Sequence, residues 1–193
     1  MPRSGLTREK VVEAAAALIE QRGTDGFSMR ALADSLHIKT ASLYNHVESM
    51  DALMTAVCAY ALQMQRDAEL RAIDGKRGPE AIRALANAYR RFTKEHRALY
   101  RMIVSTAASC GEQLSEISQC VVAPFMQVLA HTALTEEEKC HWQRVLRGIV
   151  HGFVSQEDAG FFSHLPVAVD DSFQIAIECY VNGLAQAEKK AAQ

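Results

Sequence analysis

The chain has 193 residues, 49% of them hydrophobic and 23% charged, with a formal net charge of −2. That is enough apolar material to bury a core in one or two small domains. A net charge so near zero excludes a global field that would draw the protein to nucleic acid, so any DNA binding must rest on local charge or on helix termini.

In chain order, almost every segment reads as helix. Val11, Val12, Ala15, Leu18 and Ile19 follow the i, i+3, i+4 period after Thr7, an expected N-cap, until Gly23 and Gly26 stop it. Ser28 caps a short helix bearing Met29, Leu32, Ala33 and Leu36. A turn at His37-Ile38-Lys39 then leads to a second short helix from Thr40 through His46. Ser49 caps a longer helix to about Arg71, with Leu53, Ala56, Val57, Tyr60, Ala61 and Met64 as its apolar face. Residues 72–78, with two glycines, read as a linker, and Pro79 suits the first position of the next helix.

Beyond the linker, Ile82, Leu85, Ala86, Tyr89 and Phe92 form one apolar stripe, and a shorter helix carries Leu99, Tyr100, Met102 and Ile103 up to Cys110-Gly111. The following helix holds Leu114, Ile117, Val121, Phe125 and Leu129, with Pro124 expected to kink or restart it. Thr135 with Glu138 forms a capping box that launches a long helix through Trp142, Leu146, Phe153 and Gln156. After Gly160 and Pro166, Asp170 or Asp171 caps a last helix with Phe173, Ile177, Tyr180 and Leu184. The expected fold is all-α with about nine helices: an N-terminal three-helix unit over residues 1–50 and a helical bundle over residues 51–193. The helix at about 49–71 links the two.

Two short helices separated by a tight turn are the geometry that lays the second helix in a DNA major groove. Thr40 presents a hydroxyl near a helix start, Ser42, Tyr44, Asn45 and His46 give the second helix polar reach, Lys39 adds a charge, and Leu43 should turn inward. Gly26-Phe27-Ser28-Met29-Arg30-Ala31-Leu32-Ala33, followed by Leu43-Tyr44-Asn45-His46-Val47, resembles the signature of the TetR family of regulators. The resemblance covers residues 7 to about 60. It implies phosphate or base contacts for Ser28 and Arg30, phosphate contacts for Thr40, Tyr44 and His46, and base reading by Ser42 and Asn45.

Two features depart from that family's pattern. Its usual turn glycine is His37 here, so the turn is expected to be strained or to take another φ. The basic residues common just after the recognition helix are replaced by Glu48 and Met50. Over residues 1–50, Arg3, Arg8, Lys10, Arg22, Arg30 and Lys39 balance Glu9, Glu13, Glu20, Asp25, Asp34 and Glu48. A light electrostatic grip on phosphates follows from that balance.

For the C-terminal half, the resemblance implies a chamber for a small effector and a homodimer built on the last two long helices. Tyr89, Phe92, His96, Tyr100, Ile103, Ile117, Val121, Phe125, Met126 and Trp142 are the candidate chamber residues, since ligand sites combine aromatics with a few polar tips. An aromatic stripe at helical spacing is nevertheless more often plain core. Gly148, Gly152, Ser155 and Ala159 make a small-residue stripe suited to close helix approach, and Tyr180 and Leu184 are added as candidate dimer contacts. His151-Gly152-Phe153 with Gly160-Phe161-Phe162 resembles the C-terminal domain called WHG in a subset of the family.

The expected partners are therefore a double-stranded DNA operator, a second copy of the chain and a small, largely apolar effector. Neither membrane binding nor a cofactor is expected. No run of about 18 apolar residues reads as a membrane span, and no apolar stretch follows Met1, Pro2, Arg3, Ser4 and Gly5, so a cytoplasmic protein is expected. Five scattered cysteines (Cys58, Cys110, Cys120, Cys140, Cys179) without a CxxC pair suit reduced thiols.

Three alternatives stand beside this reading. A metal- or thiol-responsive regulator would draw on His131, Cys140, His141, His151 and His164, though the adjacent Cys140 and His141 diverge by about 100° on a helix. A DNA-binding dimer without an effector would use the C-terminal half for dimerisation alone. An enzyme would need a nucleophile elbow, phosphate loop or His-Glu-x-x-His helix, and none is present, so no catalytic residue is expected. Glu157-Asp158 and Asp170-Asp171 read as solvated helix ends.

Overall fold

The computed structural model describes residues 5–107, 114–164 and 166–191, with side chains at all of these except 106–107 and 114–120. Among them are nine helices: α1 (Arg8–Arg22), α2 (Met29–Ser35), α3 (Thr40–Leu43), α4 (Met50–Ile73), α5 (Gly78–Glu95), α6 (Arg97–Ala107), α7 (Leu114–Leu129), α8 (Glu136–Asp158) and α9 (Val169–Ala191). No strand occurs among the described residues. Cys110 and Gly111, and the side chains of Ile117 and Cys120, lie outside them.

Local chemistry sets the helix starts. The first N–H groups of a helix have no partner within it, and a hydroxyl one position earlier supplies one. Thr7 accepts from the Lys10 N–H at 3.3 Å, Ser28 from Ala31 at 3.1 Å and Ser49 from Ala52 at 3.0 Å. At α8 the capping box is complete: Thr135 accepts from the Glu138 N–H, and the Glu138 carboxylate accepts from the Thr135 N–H. Those hydrogen bonds hold the Glu138 carboxyl below the usual carboxylate range. The last helix starts at Val169, which puts Asp170 and Asp171 in its first turn rather than at its cap. Pro124 sits inside α7, which runs on without a restart.

The chain divides into two compact units. One holds residues 1–64 and 96–117, and the other holds residues 65–95 and 118–193. This division differs from a border at residue 50: the first part of α4, together with α6, joins α1–α3. In that first unit α6 packs on α1, and Val11, Ala15, Ile19, Leu32, Leu43, Leu53 and Val57 are buried. In the second unit α5, α8 and α9 pack pairwise around Ile82, Leu85, Phe125, Leu146, Val150, Phe173 and Ile177.

Arg90 of α5 locks the second unit. Its guanidinium donates to Glu157 at 2.8 and 2.7 Å and to Asp170 at 2.7 Å, and it lies over the Phe173 ring at 4.7 Å. Glu157 and Asp170 are thus corrected from plain solvated helix ends to partners of one buried cation. Arg90 holds the Glu157 carboxyl below its ordinary range.

Candidate DNA-reading head and sensor unit

The turn between α2 and α3 is built by the end of α2. Leu36 closes that helix, and His37 takes the left-handed conformation at φ 56°. The His37 N–H donates to the Asp34 carbonyl at 3.2 Å and the Ile38 N–H to the Ala33 carbonyl at 3.0 Å. These two bonds are the paired closure of a helix that usually employs glycine at the left-handed position. His37 is therefore strained in φ, as its place in a turn that favours glycine implies. Just before α2, Gly26 has its own reason: a Cβ there would sit 2.6 Å from the Arg22 carbonyl oxygen. Only a residue without a side chain lets residues 24–27 fold back against the last turn of α1.

The recognition element is shorter as an α-helix than expected, ending at Leu43. The backbone nevertheless keeps turning, because His46 N–H donates to Leu43 O at 2.8 Å and Val47 N–H to the same carbonyl at 3.1 Å. Leu43 and Val47 are buried in the head, which aims their neighbours outward. Tyr44 is 53% exposed. Asn45, Lys39, Ser28 and Arg30 are exposed as well, while Thr40, Ser42 and His46 are half-buried. Thr40 is the first helical residue, not the cap, and Lys39 occupies the cap position without a side-chain bond.

Sequence reasoning did not group Arg22 with Ser28 and Arg30. The close approach at Gly26 brings the end of α1 to the start of α2, so that Arg22, Ser28, Arg30 and Asp34 line one cleft of about 380 Å³. The rim carries two guanidiniums and a hydroxyl, which suit a phosphate contact, beside the one opposing carboxylate of Asp34. No periodicity in the sequence pairs residues 22 and 30.

In the second unit, the Tyr89 hydroxyl lies 3.2 Å from His151 Nδ1, and the Tyr89 ring meets Phe125 edge-on at 6.3 Å. Burial, with the nearby charge of Arg147, lowers the His151 pKa. Trp142 meets Tyr180 edge-on at 5.4 Å, and the Tyr180 hydroxyl donates to the Trp142 carbonyl at 3.1 Å. Burial pushes the Tyr180 pKa up. Gly183 makes room for this pair, since a Cβ there would reach 3.3 Å from the indole. On α4, Gln65 donates to Glu69 at 2.9 Å, and burial raises the Glu69 pKa to about 8.

Comparison with known proteins identifies this architecture. Residues 11–57 match the family model for bacterial regulatory proteins of the tetR family, and residues 82–180 match that for the tetracyclin repressor-like C-terminal domain. The chain belongs to the TetR family. It is 29% identical over 153 residues to the HTH-type transcriptional regulator YobS of Bacillus subtilis, covering 79% of each chain. A Rhodococcus protein superposes with a TM-score of 0.81 at 22% identity, over 95% of this chain and 98% of that one. The Streptomyces coelicolor TetR family protein ActR, in its complex with actinorhodin, gives 0.68 at 20% identity over 96% and 99%.

This TetR-family regulator is thus a ligand-responsive, DNA-binding transcriptional regulator. Regulators of the family bind DNA as dimers and bind small-molecule effectors. Its candidate effector residues do not all gather in one place. Tyr89, Phe92, Val121, Phe125, Met126 and Trp142 belong to the second unit, whereas His96, Tyr100 and Ile103 belong to the first. His96 Nδ1 lies 3.3 Å from Glu20 Oε1 of α1, so its partner is in the head.

The candidate dimer residues also separate. A Cβ at Gly148 or Gly152 would meet nothing within 4 Å, and Ser155 is half-buried on the same helix. Tyr180 and Leu184 are each 3% exposed in the protomer. Their side chains serve its own core, Tyr180 against Trp142; i, i+4 spacing names a face of α9 without saying what covers it. Among the described residues, no three His, Cys, Asp or Glu side chains form a group able to hold a metal, and no helix is long and apolar enough to cross a membrane. Cys58 is a buried thiol, and Cys140 and Cys179 are exposed ones.

Proposed function

We propose that the chain is a homodimeric repressor whose two recognition elements read a pseudo-palindromic operator about one helical turn, ~34–36 Å, apart. The observation that carries this is the outward row of Tyr44, Asn45, Lys39, Ser28 and Arg30 around an inward Leu43. In this reading Tyr44, Thr40 and His46 hold phosphates, Arg22 joins Ser28 and Arg30 at the backbone, and Ser42 and Asn45 meet base edges. Gly148, Gly152 and Ser155 of α8 form the seam with the second copy. An effector within the helices after residue 65 favours a conformation that binds the operator poorly. A near-complete switch takes about 5.5 kcal/mol of differential affinity. The continuous helix α4, which contributes residues to both units, is the natural lever.

The test uses a duplex enriched by the protein from a random pool. Tyr44→Ala removes an exposed hydroxyl, so it should weaken that complex about tenfold, the value of one good hydrogen bond, and leave the dimer unchanged. Unchanged affinity sinks the phosphate assignment. Gly152→Leu has free space in the protomer, so the fold should persist while sedimentation shifts from dimer to monomer. A variant that still sediments as the dimer places the seam elsewhere.

A further inference from the structure

The recognition element carries one exposed residue that no polar role accounts for. Ala41, its second residue, is exposed, and so is Asn45, whereas Thr40, Ser42 and His46 are half-buried. Leu43 is fully buried and marks the direction of the head's interior. At about 100° per residue, Ala41 and Asn45 fall within roughly 20° of the direction opposite Leu43, while Tyr44 and Ser42 fall about 100° to either side of Leu43. The backbone bonds from His46 and Val47 to the Leu43 carbonyl keep Asn45 on that turn. The two side chains at the centre of the outward face are thus a methyl and a short amide.

That pairing has a specific meaning against base edges. In the major groove an Asn amide reads adenine through N6 and N7 with two hydrogen bonds. The Asn side chain is short, so this contact requires the element to sit deep in the groove. A methyl beside it on the same face allows that depth, whereas a longer side chain at position 41 would hold the backbone away. Ala41 offers no side-chain hydrogen bond, and the one apolar group on a major-groove base edge is the thymine C5-methyl. The rise over four residues, about 6 Å, spans about two base pairs at roughly 3.4 Å each.

We propose that Ala41 is a base-reading residue whose methyl packs on a thymine C5-methyl, within about two base pairs of the adenine that Asn45 reads, in each half-site. This rests on the reading of the head as a DNA-binding element and deepens it. Each half-site carries a thymine recognised through its methyl group, and Ser42 moves from the centre of the base-reading face to its flank.

The experiment uses the full-length protein and the duplex it enriches from a random pool. Each thymine is replaced in turn by uracil, at symmetric positions of the two half-sites, which removes the methyl and keeps the Watson–Crick pair. One such position should lose about fourfold in affinity per half-site, the fold-change of burying one methyl group, and about fifteenfold for the symmetric pair. Ala41→Gly should bind the thymine duplex about as weakly as the wild type binds the uracil duplex, and should no longer distinguish the two. Tyr44→Ala, weaker overall, should keep the wild-type ratio between them. Indifference of the wild type to uracil at every thymine overturns the proposal while DNA reading stands, and this comparison needs no variant. It is also the result expected of an alanine that serves helix propensity alone. A thymine preference that survives in Ala41→Gly overturns the proposal too. A preference that vanishes in Tyr44→Ala overturns it by assigning the methyl to the exposed Tyr44 ring. If no duplex is enriched, the DNA reading itself falls and the proposal with it.

Discussion

The two units handle polar groups in opposite ways. The head turns its polar side chains outward around an apolar interior of Val11, Leu32, Leu43 and Leu53. Among the described residues, every buried polar or charged one (Gln65, Glu69, Arg90, Thr93 and Gln143) belongs to the other unit. A surface that grips a polyanion needs its donors in solvent, held by a rigid apolar frame. A chamber that recognises a small molecule needs polar groups where water is excluded, since there a mismatch costs most. The buried set is itself divided. Arg90 and Thr93 are satisfied, Thr93 by donating to the Tyr89 carbonyl at 3.0 Å, whereas Glu69 and Gln143 are under-satisfied. The first pair is architecture, and the second is a cost that the fold carries.

Removing the architecture should produce the largest effect. Arg90→Leu removes the buried cation that Glu157 and Asp170 share, and breaking a buried pair by deleting one partner costs about 3–5 kcal/mol. Lys94 still holds Glu157 at 3.0 Å, so a loss of about 2–4 kcal/mol is expected in urea unfolding. A loss below about 1 kcal/mol, the value of an exposed pair, would erase the distinction between satisfied and unsatisfied interiors.

The under-satisfied acid should behave in the opposite sense. The folded state keeps the Glu69 proton up to about pH 8, whereas the unfolded chain releases it near its model value of 4.5. The native state therefore binds more protons between those values, and stability falls as pH rises through that window. Glu69→Gln removes the penalty, so it should be neutral at pH 4 and more stable than wild type by about 1–3 kcal/mol at pH 9. Wild-type stability at pH 9 equal to that of the variant would mean that the acid is not held in a dry interior.

In the head the smallest effect comes from its one strained residue. His37→Gly relieves a left-handed φ and should raise stability by about 0.5–1 kcal/mol, seen as a small rise in Tm. A fall would show that the His37 side chain contributes contacts that outweigh its backbone cost.

Much of this was legible in the amino-acid sequence because it is local. The caps at Thr7, Ser28, Ser49 and Thr135 depend on residues three apart, and the helix-turn-helix signature depends on the run from Gly26 to Val47. The reason for Gly26 is likewise a contact four residues back. Helical periodicity also told which residues share a face of their own helix. It could not tell what each face meets. His96 and Tyr89 belong to neighbouring helices and read alike as chamber residues, yet His96 turns to Glu20 of α1 and Tyr89 to His151 of α8. Tyr180 and Leu184 read as an outer seam and are core. Arg22 reads as the end of a helix and joins Arg30. Nothing in the local sequence marks Glu69 as buried. Its burial is decided only when helices far apart in sequence close over it, and that closure is a sum of many weak contacts that no short window of residues contains.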